Sequence, residues 1–274
     1  MYALNFEYDN RYLSDYGFIV CEFDYSSGAV TANAGSNITF NKVSQHNGRR
    51  FNLTSAVYSE CITSSFDICK NPDLYSRNDM VITNEEYRNL SLWLSRKKFL
   101  KFRLIDDGNS DYVNETCYYN ASFNIEKIKI GDVLYGLRLS METDSPFAHG
   151  KDIKVNLKFT AENETKTIQC ISDEIGYLYP DLTIICKQNG DISISNTTQE
   201  CNMIVKHCRA GEVINIFGES QIIMSSLDEH DICNDFNYEF FKIGRTFSNI
   251  DNKITVSSPC DISIKYTPII KDSP

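Results

Sequence analysis

The chain has 274 residues, of which 42% are hydrophobic and 12% aromatic, and this composition can form one large or two ordinary packed domains. Its formal net charge of -10 argues against a nucleic-acid-binding protein, because phosphate contacts require a concentrated basic surface. The beginning of the chain carries acidic residues and no long apolar run, so we expect neither a secretory signal nor a membrane anchor, and we expect folding in the cytoplasm.

The first half of the chain is predicted to be mainly β structure. Strand-like patterns occur in five short segments: 3–8, 38–43, 51–57, 65–68 and 99–105. Farther along, Leu137, Leu139 and Met141 alternate with polar residues, which predicts a sheet with one polar face. Gly131-Asp132 lies between apolar residues and predicts a hairpin turn, whereas the polar segment 106–114 predicts a loop or a hairpin tip.

A single strong helix is predicted from residue 83 onward. Thr83 can cap its first turn, while the Glu86 side chain reaches back to the Thr83 backbone. Four apolar residues share one face of this helix: Tyr87, Leu90, Trp93 and Leu94. Basic residues at 96–98 follow, where they can interact with the last helix carbonyl groups. We therefore expect a helix that covers β structure and has an architectural role.

A break in the pattern at residues 145–150 predicts a domain boundary. Pro146 cannot join a β ladder, Gly150 loosens the chain, and a new alternation begins at Val155. We therefore predict an N-terminal domain of residues 1–149, a β-sandwich or split barrel with one helix. The C-terminal domain, residues 150–274, has the size of a single β-sandwich.

The C-terminal domain shows turn signals at short, regular spacing. Asn189-Gly190 separates the apolar segments 182–186 and 192–194 and is the strongest short hairpin signal in the chain. Gly218-Glu219 is a further turn signal. Residues 254–256 and 262–266 alternate strictly, which predicts two strands, and Pro268 is expected to end the last strand.

Few residues are available for catalysis. The four histidines lie in different sequence contexts, which disfavours a general base or a metal site: His46, His149, His207 and His230. In segment 228–231 three carboxylates surround His230, but adjacent side chains point in different directions. We therefore interpret this segment as a solvated turn and not as a cation site.

The ten cysteines are interpreted as free, buried thiols, because they are spread through a large chain without an export signal or a C-x-x-C pair. Cys201, His207 and Cys208 are zinc-type ligands. Their spacing lacks paired knuckles and a fourth ligand, so core or sheet cysteines are the favoured interpretation.

A glycosidase site is an alternative interpretation of Asp106, Asp107 and Asp181, because such enzymes need two carboxyl groups at the scissile bond. No pair can be assigned from the sequence, so surface loops are favoured. The sequence also lacks a nucleophile elbow, a phosphate-binding glycine loop and a zinc-protease motif. We therefore predict a non-enzymatic protein with no catalytic, cofactor-binding or metal-binding residues and no cofactor.

Several short segments, taken in order along the chain, are similar to one known family. The similarity covers segments 6–8, 14–20, 92–94, 102–107 and 145–148, and in the second half segments 179–184, 190–194, 210–216 and 241–244. In this order they resemble the distal tail proteins of siphophages, the phages with long, non-contractile tails. Arg245 stands where that family usually has asparagine.

The resemblance implies a structural virion protein of the phage tail tip or baseplate. The N-terminal domain would form a six-fold ring, a homo-hexamer that continues the tail tube and through which DNA only passes. The C-terminal domain would be a galectin-like β-sandwich that docks a receptor-binding protein or fibre. The ring would join the tail-tube protein to the tail-tip or tail-associated lysin protein. The resemblance also implies assembly in the host cytoplasm, location at the virion tail tip and no membrane insertion.

Two other function classes remain open. An aromatic-rich sandwich could be a carbohydrate-binding module for a host cell-surface glycan, which would need an aromatic plate beside polar groups in one concavity. Trp93, the only tryptophan, lies on the apolar helix face and favours core packing instead. A cell-wall hydrolase would need a catalytic carboxyl pair that the sequence does not reveal.

Overall fold

The computed structural model describes residues 5–23, 38–44, 51–58, 60–105 and 117–271. The protein is mainly β, as the sequence predicts. The chain divides into two compact units, residues 1–149 with 271–274, and residues 150–270. No helix within the described ranges is long and apolar enough to cross a membrane.

Most of the described residues of the first unit lie in antiparallel strands. Its elements, in chain order, are β1 (Asn5–Tyr8), β2 (Arg11–Tyr12), a 3-10 helix (Leu13–Tyr16), β3 (Phe18–Cys21), β4 (Ile38–Ser44), β5 (Phe51–Tyr58), β6 (Thr63–Lys70), α1 (Asn84–Leu94), β7 (Leu100–Ile105), β8 (Cys117–Ile130), β9 (Val133–Thr143) and β10 (Ala148–Gly150). The main sheet contains seven strands in the order β2-β1-β7-β8-β9-β6-β3, with β10 also paired to β8, and β4 and β5 form a separate two-stranded sheet.

Helix α1 covers the main sheet, as predicted. The Thr83 hydroxyl accepts a hydrogen bond from the Glu86 backbone N–H (3.2 Å), and the Glu86 carboxylate accepts one from the Thr83 N–H (2.7 Å). At the other end, the Arg96 guanidinium donates to the Trp93 carbonyl (3.1 Å), which satisfies one of the last helix carbonyls. Leu90 and Leu94 are buried on the face that the sequence predicts, while Tyr87 is half-buried.

The core of the first unit is an aromatic cluster under α1. Phe6 packs against Phe66, Phe102 and Phe123 with ring centroids 5.5–6.1 Å apart. Trp93 is 1% exposed, and its indole N–H donates to the Tyr8 carbonyl (3.0 Å). Its only polar atom is therefore satisfied inside the core, which confirms the prediction that Trp93 is a packing residue.

The opposite face of the main sheet is polar. Arg138 on β9 donates two hydrogen bonds, 2.8 and 3.0 Å long, to the Asp67 carboxylate on the neighbouring β6. Near the other edge, Arg103 pairs with Glu7 (2.6 Å) across β7 and β1. The predicted turn at Gly131-Asp132 joins β8 to β9, and Gly131 adopts the left-handed conformation, with φ of 64°.

The second unit is a β-sandwich. Its elements are β11 (Ile153–Phe159), β12 (Glu164–Gln169), β13 (Gly176–Leu178), β14 (Asp181–Cys186), β15 (Gly190–Asn196), β16 (Cys201–Cys208), β17 (Val213–Phe217), β18 (Ile222–Ser225), α2 (Ile232–Asp235), β19 (Ile243–Arg245), β20 (Asp251–Val256), β21 (Cys260–Tyr266) and β22 (Ile269–Ile270). One sheet has the order β11-β21-β14-β17-β18, the other β12-β20-β15-β16, and β13 pairs with β19. Both sheets contribute side chains to one apolar core.

The predicted hairpin at Asn189-Gly190 is wrong. Strand β14 pairs with β17 and β21, whereas β15 pairs with β16 and β20, so the turn carries the chain from one sheet to the other. The Asn189 side chain accepts a hydrogen bond from the Ala210 N–H (2.8 Å), a partner outside the turn. Strands β14 and β15 each bury one apolar face in the sandwich core. The same faces are buried whether the two strands pair with each other or lie in opposite sheets, so the apolar pattern does not distinguish the two arrangements.

Candidate functional site

The separate hairpin formed by β4 and β5 exposes several apolar side chains of the first unit. Ile38 faces Tyr58 and Phe40 faces Ala56 across the pair, whereas Val57 faces Thr39. Ile38 and Phe40 therefore lie on one face of the hairpin and Val57 on the other. All three are about half exposed, so both faces present apolar side chains to solvent.

The end of this hairpin is anchored to the rest of the first unit through Tyr58. Its ring packs edge-on against Phe147, with centroids 4.6 Å apart at 79°. The Lys271 ammonium lies 5.9 Å from the Tyr58 ring and 5.8 Å from the Phe147 ring. Within the described residues the hairpin shares no backbone ladder with the main sheet. A two-stranded hairpin of this kind is marginally stable by itself.

Among the described residues, the main sheet of the first unit has two open edges. In this part of the chain β3 pairs with β6 alone, and the short β2 pairs with β1 alone. An open strand edge exposes unpaired backbone groups that can pair with another chain. The hairpin and the two open edges are therefore each suited to contact with another protein chain.

The histidines named from the sequence do not come together as one site. His46 lies outside the described residues. His149 lies in the first unit, 5.4 Å from the Tyr118 ring and 3.7 Å from Asp144. His207 and His230 lie in the second unit, where both contact Asp235.

The prediction of a solvated turn at residues 228–231 is wrong for His230. Its side chain is only 4% exposed, and both of its ring nitrogens lie near carboxylates. His230 Nδ1 lies 2.5 Å from the buried Glu212 carboxylate, and Nε2 lies 3.2 Å from Asp235. The partner Glu212 is eighteen positions away, so no local sequence signal indicates this pair.

Glu212 is the centre of this buried network. Burial opposes its ionisation, but hydrogen bonds from the Ser225 hydroxyl (2.6 Å), from His230 and from the Arg209 backbone N–H (2.8 Å) outweigh that effect and lower the pKa of Glu212. The Ser225 hydroxyl donates to Glu212 and not to the imidazole, and both imidazole nitrogens face carboxylates. The geometry therefore fits an anchor for α2, not an activated nucleophile.

The proposed zinc-type ligands diverge. Cys201 and Cys208 are buried in β16, as predicted, whereas the His207 side chain is mostly exposed and its Nδ1 lies 2.8 Å from Asp235. Among the described residues no group of His, Cys, Asp and Glu has an arrangement that could hold a metal ion. All ten cysteines are free thiols, and six of them are buried.

The carboxylates named as a glycosidase alternative are only partly described. Asp106 and Asp107 lie outside the described residues. Asp181 is the first residue of β14 and not part of a loop, and its Oδ1 accepts a hydrogen bond from the Gly218 N–H (3.0 Å).

Comparisons with known proteins point to one kind of assembly. A family model described as a phage tail protein N-terminal domain matches residues 1–145, and a model described as a phage tail C-terminal domain matches residues 147–266. Among solved structures, the chain is similar to SPP1 Dit, described as a paradigm of the hub adsorption apparatus in phages that infect Gram-positive hosts. The TM-score is 0.68 at 12% identity, over 96% of this chain and 98% of that chain, which shows a shared fold. No curated protein matches the chain.

Proposed function

Because the chain belongs to the family of phage tail proteins that these two domain models define, and is thus a structural component of the virion tail, we propose that it is a distal tail protein at the tail tip of a siphophage. The resemblance read from the sequence is confirmed by the family models and agrees with the fold shared with SPP1 Dit. The proposed role is structural and non-enzymatic.

The first unit is proposed to form a six-fold ring, and the hairpin of β4 and β5 is the observation that carries this proposal. Ile38, Phe40 and Val57 expose apolar surface on both faces of a hairpin that lacks a sheet partner within the described residues. Exposed apolar surface of this kind is a feature of protein–protein contact sites. A neighbouring subunit would bury it, and one heterologous contact repeated by rotation closes into a ring.

In this role the ring would join the tail-tube protein to the tail-tip or tail-associated lysin protein. DNA would pass through its centre without being retained, and the net charge of -10 supports this because a like-charged subunit repels phosphate. The second unit would be the docking domain for a receptor-binding protein or fibre. Its outermost strand β18 supports this proposal, since Ile222 and Met224 are about half exposed on an open sheet edge.

The ring can be tested by measuring the mass of the purified protein in solution, alone and mixed with its tail-tube protein. We expect a mass of six subunits by light scattering in at least one sample, and negative-stain images of rings with an open centre. A monomer in both samples would rule out the proposed ring.

A further inference from the structure

A cleft in the second unit is enclosed by segments that lie far apart in the sequence. Tyr177 lies in β13 and Tyr179 directly after it, and Asp181 begins β14. Phe217 is the last residue of β17, and Glu219 lies in the turn that leads to β18. The end of β21 closes the remaining side. The cleft has a volume of about 500 Å³, which is within the range of small-molecule sites.

Two backbone contacts fix the shape of this cleft. A Cβ atom on Gly218 would lie 2.1 Å from the Tyr179 carbonyl oxygen and 2.6 Å from the Pro180 oxygen, so only glycine allows the turn to approach this closely. The Gly218 N–H donates a hydrogen bond to Asp181 Oδ1 (3.0 Å). The turn and the start of β14 are therefore held together before any ligand arrives, which reduces the entropy cost of binding.

The cleft exposes aromatic rings that the sandwich core does not use. Tyr177 is 55% exposed, and Phe217 is 43% exposed. Tyr177 and Tyr179 pack edge to face, with centroids 5.5 Å apart at 80°, and the Lys242 ammonium lies 5.0 Å from the Tyr177 ring centroid. These contacts restrain the orientation of Tyr177, so its ring is a preformed apolar plate at the cleft.

Two carboxylates, which only accept hydrogen bonds, line the cleft. Asp181 uses one carboxylate oxygen for the Gly218 N–H, and the exposed Glu219 has no hydrogen-bonding or ionic partner among the described residues. The ammonium of Lys265 is already engaged, because it lies 2.8 Å from the Asp152 carboxylate. The cleft therefore favours ligands that donate hydroxyl hydrogen bonds, and its carboxylates repel phosphate-linked polymers.

We infer that this cleft binds a neutral saccharide. A pyranose ring combines an apolar C–H face, which can stack on Tyr177, with hydroxyl groups that can donate to Asp181 and Glu219. This site lies wholly within the second unit and goes beyond the proposed structural role, since saccharide binding at the cleft does not require ring assembly.

Saturation-transfer NMR with the full-length protein tests the inference. The probes are maltotetraose, chitotetraose and a β-linked galactose disaccharide, each at up to about 10 mM because shallow sites bind weakly. We expect saturation transfer to at least one probe, and none to poly(glycerol phosphate). Tyr177→Ala should weaken binding by roughly tenfold or more, and Glu219→Gln should weaken it as well.

Tyr238→Ala is the matched control, because Tyr238 is 69% exposed in the same unit and does not line the cleft. This variant should bind as the unchanged protein does, and thermal melting should show that every variant remains folded. Absence of saturation transfer to all three neutral probes would overturn the inference, as would equal binding by Tyr177→Ala or stronger binding of poly(glycerol phosphate). New reducing ends in the probe would also overturn a binding-only site.

Discussion

At the scale of single residues, the Glu212 carboxylate is a charged group of the second unit that a buried hydrogen-bond network holds in place. It is buried and receives hydrogen bonds from the backbone, from a hydroxyl and from an imidazole. A buried charge with this many partners stabilises the fold only while the partners remain in place. The network holds α2 against the sandwich, and its loss would leave His230 buried without its nearest acceptor.

We expect the free energy of unfolding to decrease as the pH is lowered through the range in which Glu212 becomes protonated. The pKa of Glu212 is lowered from its ordinary value of 4.5 in the folded state, so its contribution is complete above about pH 4.5 and is lost as the pH falls through the lower, folded value. At neutral pH, Glu212→Gln should reduce the free energy of unfolding by about 1–3 kcal/mol. Thermal melting between pH 3 and 7 measures both effects.

Glu229→Gln provides the control for this experiment, because Glu229 is a mostly exposed carboxylate that pairs with Arg209 on the surface. We expect little change in its melting temperature at neutral pH, since exposed ion pairs contribute little. If Glu212→Gln melted as the unchanged protein does over the whole pH range, the buried network would have no stabilising role.

At the scale of elements, helix α1 packs on the main sheet through one apolar face. The capping box fixes its first turn, and the Arg96 side chain covers a carbonyl at its end. Between these ends, Trp93 stacks on Tyr16 with ring centroids 4.6 Å apart. A helix of 11 residues is marginal in isolation, so the packing of this face provides most of its stability.

Leu94→Asp is expected to unfold the first unit, because Leu94 is fully buried and the substitution places an unpaired charge in the aromatic core. Leu90→Asp should have the same effect for the same reason. Leu92→Asp is the matched control on the same helix, since Leu92 is 63% exposed. Circular dichroism and thermal melting would measure the outcome, and a cooperative transition at an unchanged temperature in Leu94→Asp would contradict the packing described here.

At the scale of the whole molecule, each unit has its own apolar core. The first is built around Phe6 and Trp93 under a helix, and the second lies between two sheets. On the hairpin of β4 and β5, Ile38, Phe40 and Val57 are about half exposed and belong to neither core. This surface is the feature that the proposed ring would bury.

Phe40→Asp is expected to prevent ring assembly while the monomer stays folded, because Phe40 is half exposed on the hairpin and a charge there would have to be desolvated in a contact between subunits. Light scattering would show a shift from the ring to smaller species, and melting would test the fold. Leu92→Asp again serves as the control, since it adds the same charge to an exposed apolar position on α1. Rings of normal mass in Phe40→Asp would exclude the hairpin as an assembly contact.

Features that depend on residues close together in the sequence could be predicted, whereas those that depend on distant residues could not. The capping box of α1 involves residues three positions apart, and the turn at Gly131-Asp132 joins directly adjacent strands, so both could be predicted. The burial pattern of β21 also follows its strict alternation. By contrast, residues 106–107 and His46 lie outside the described part of the chain, and predictions about them stay predictions.

The mainly β class, the helix with its buried face, and the resemblance to phage tail proteins could all be predicted from the amino-acid sequence, because they depend on neighbouring residues or on their order along the chain. The folded structure was needed to show that β14 and β15 belong to different sheets, that Glu212 meets His230, and that Tyr177 and Phe217 share a cleft. The physical reason is that apolar alternation specifies which face of a strand is buried but not which strand it pairs with. That choice depends on the packing of all the strands around a common core.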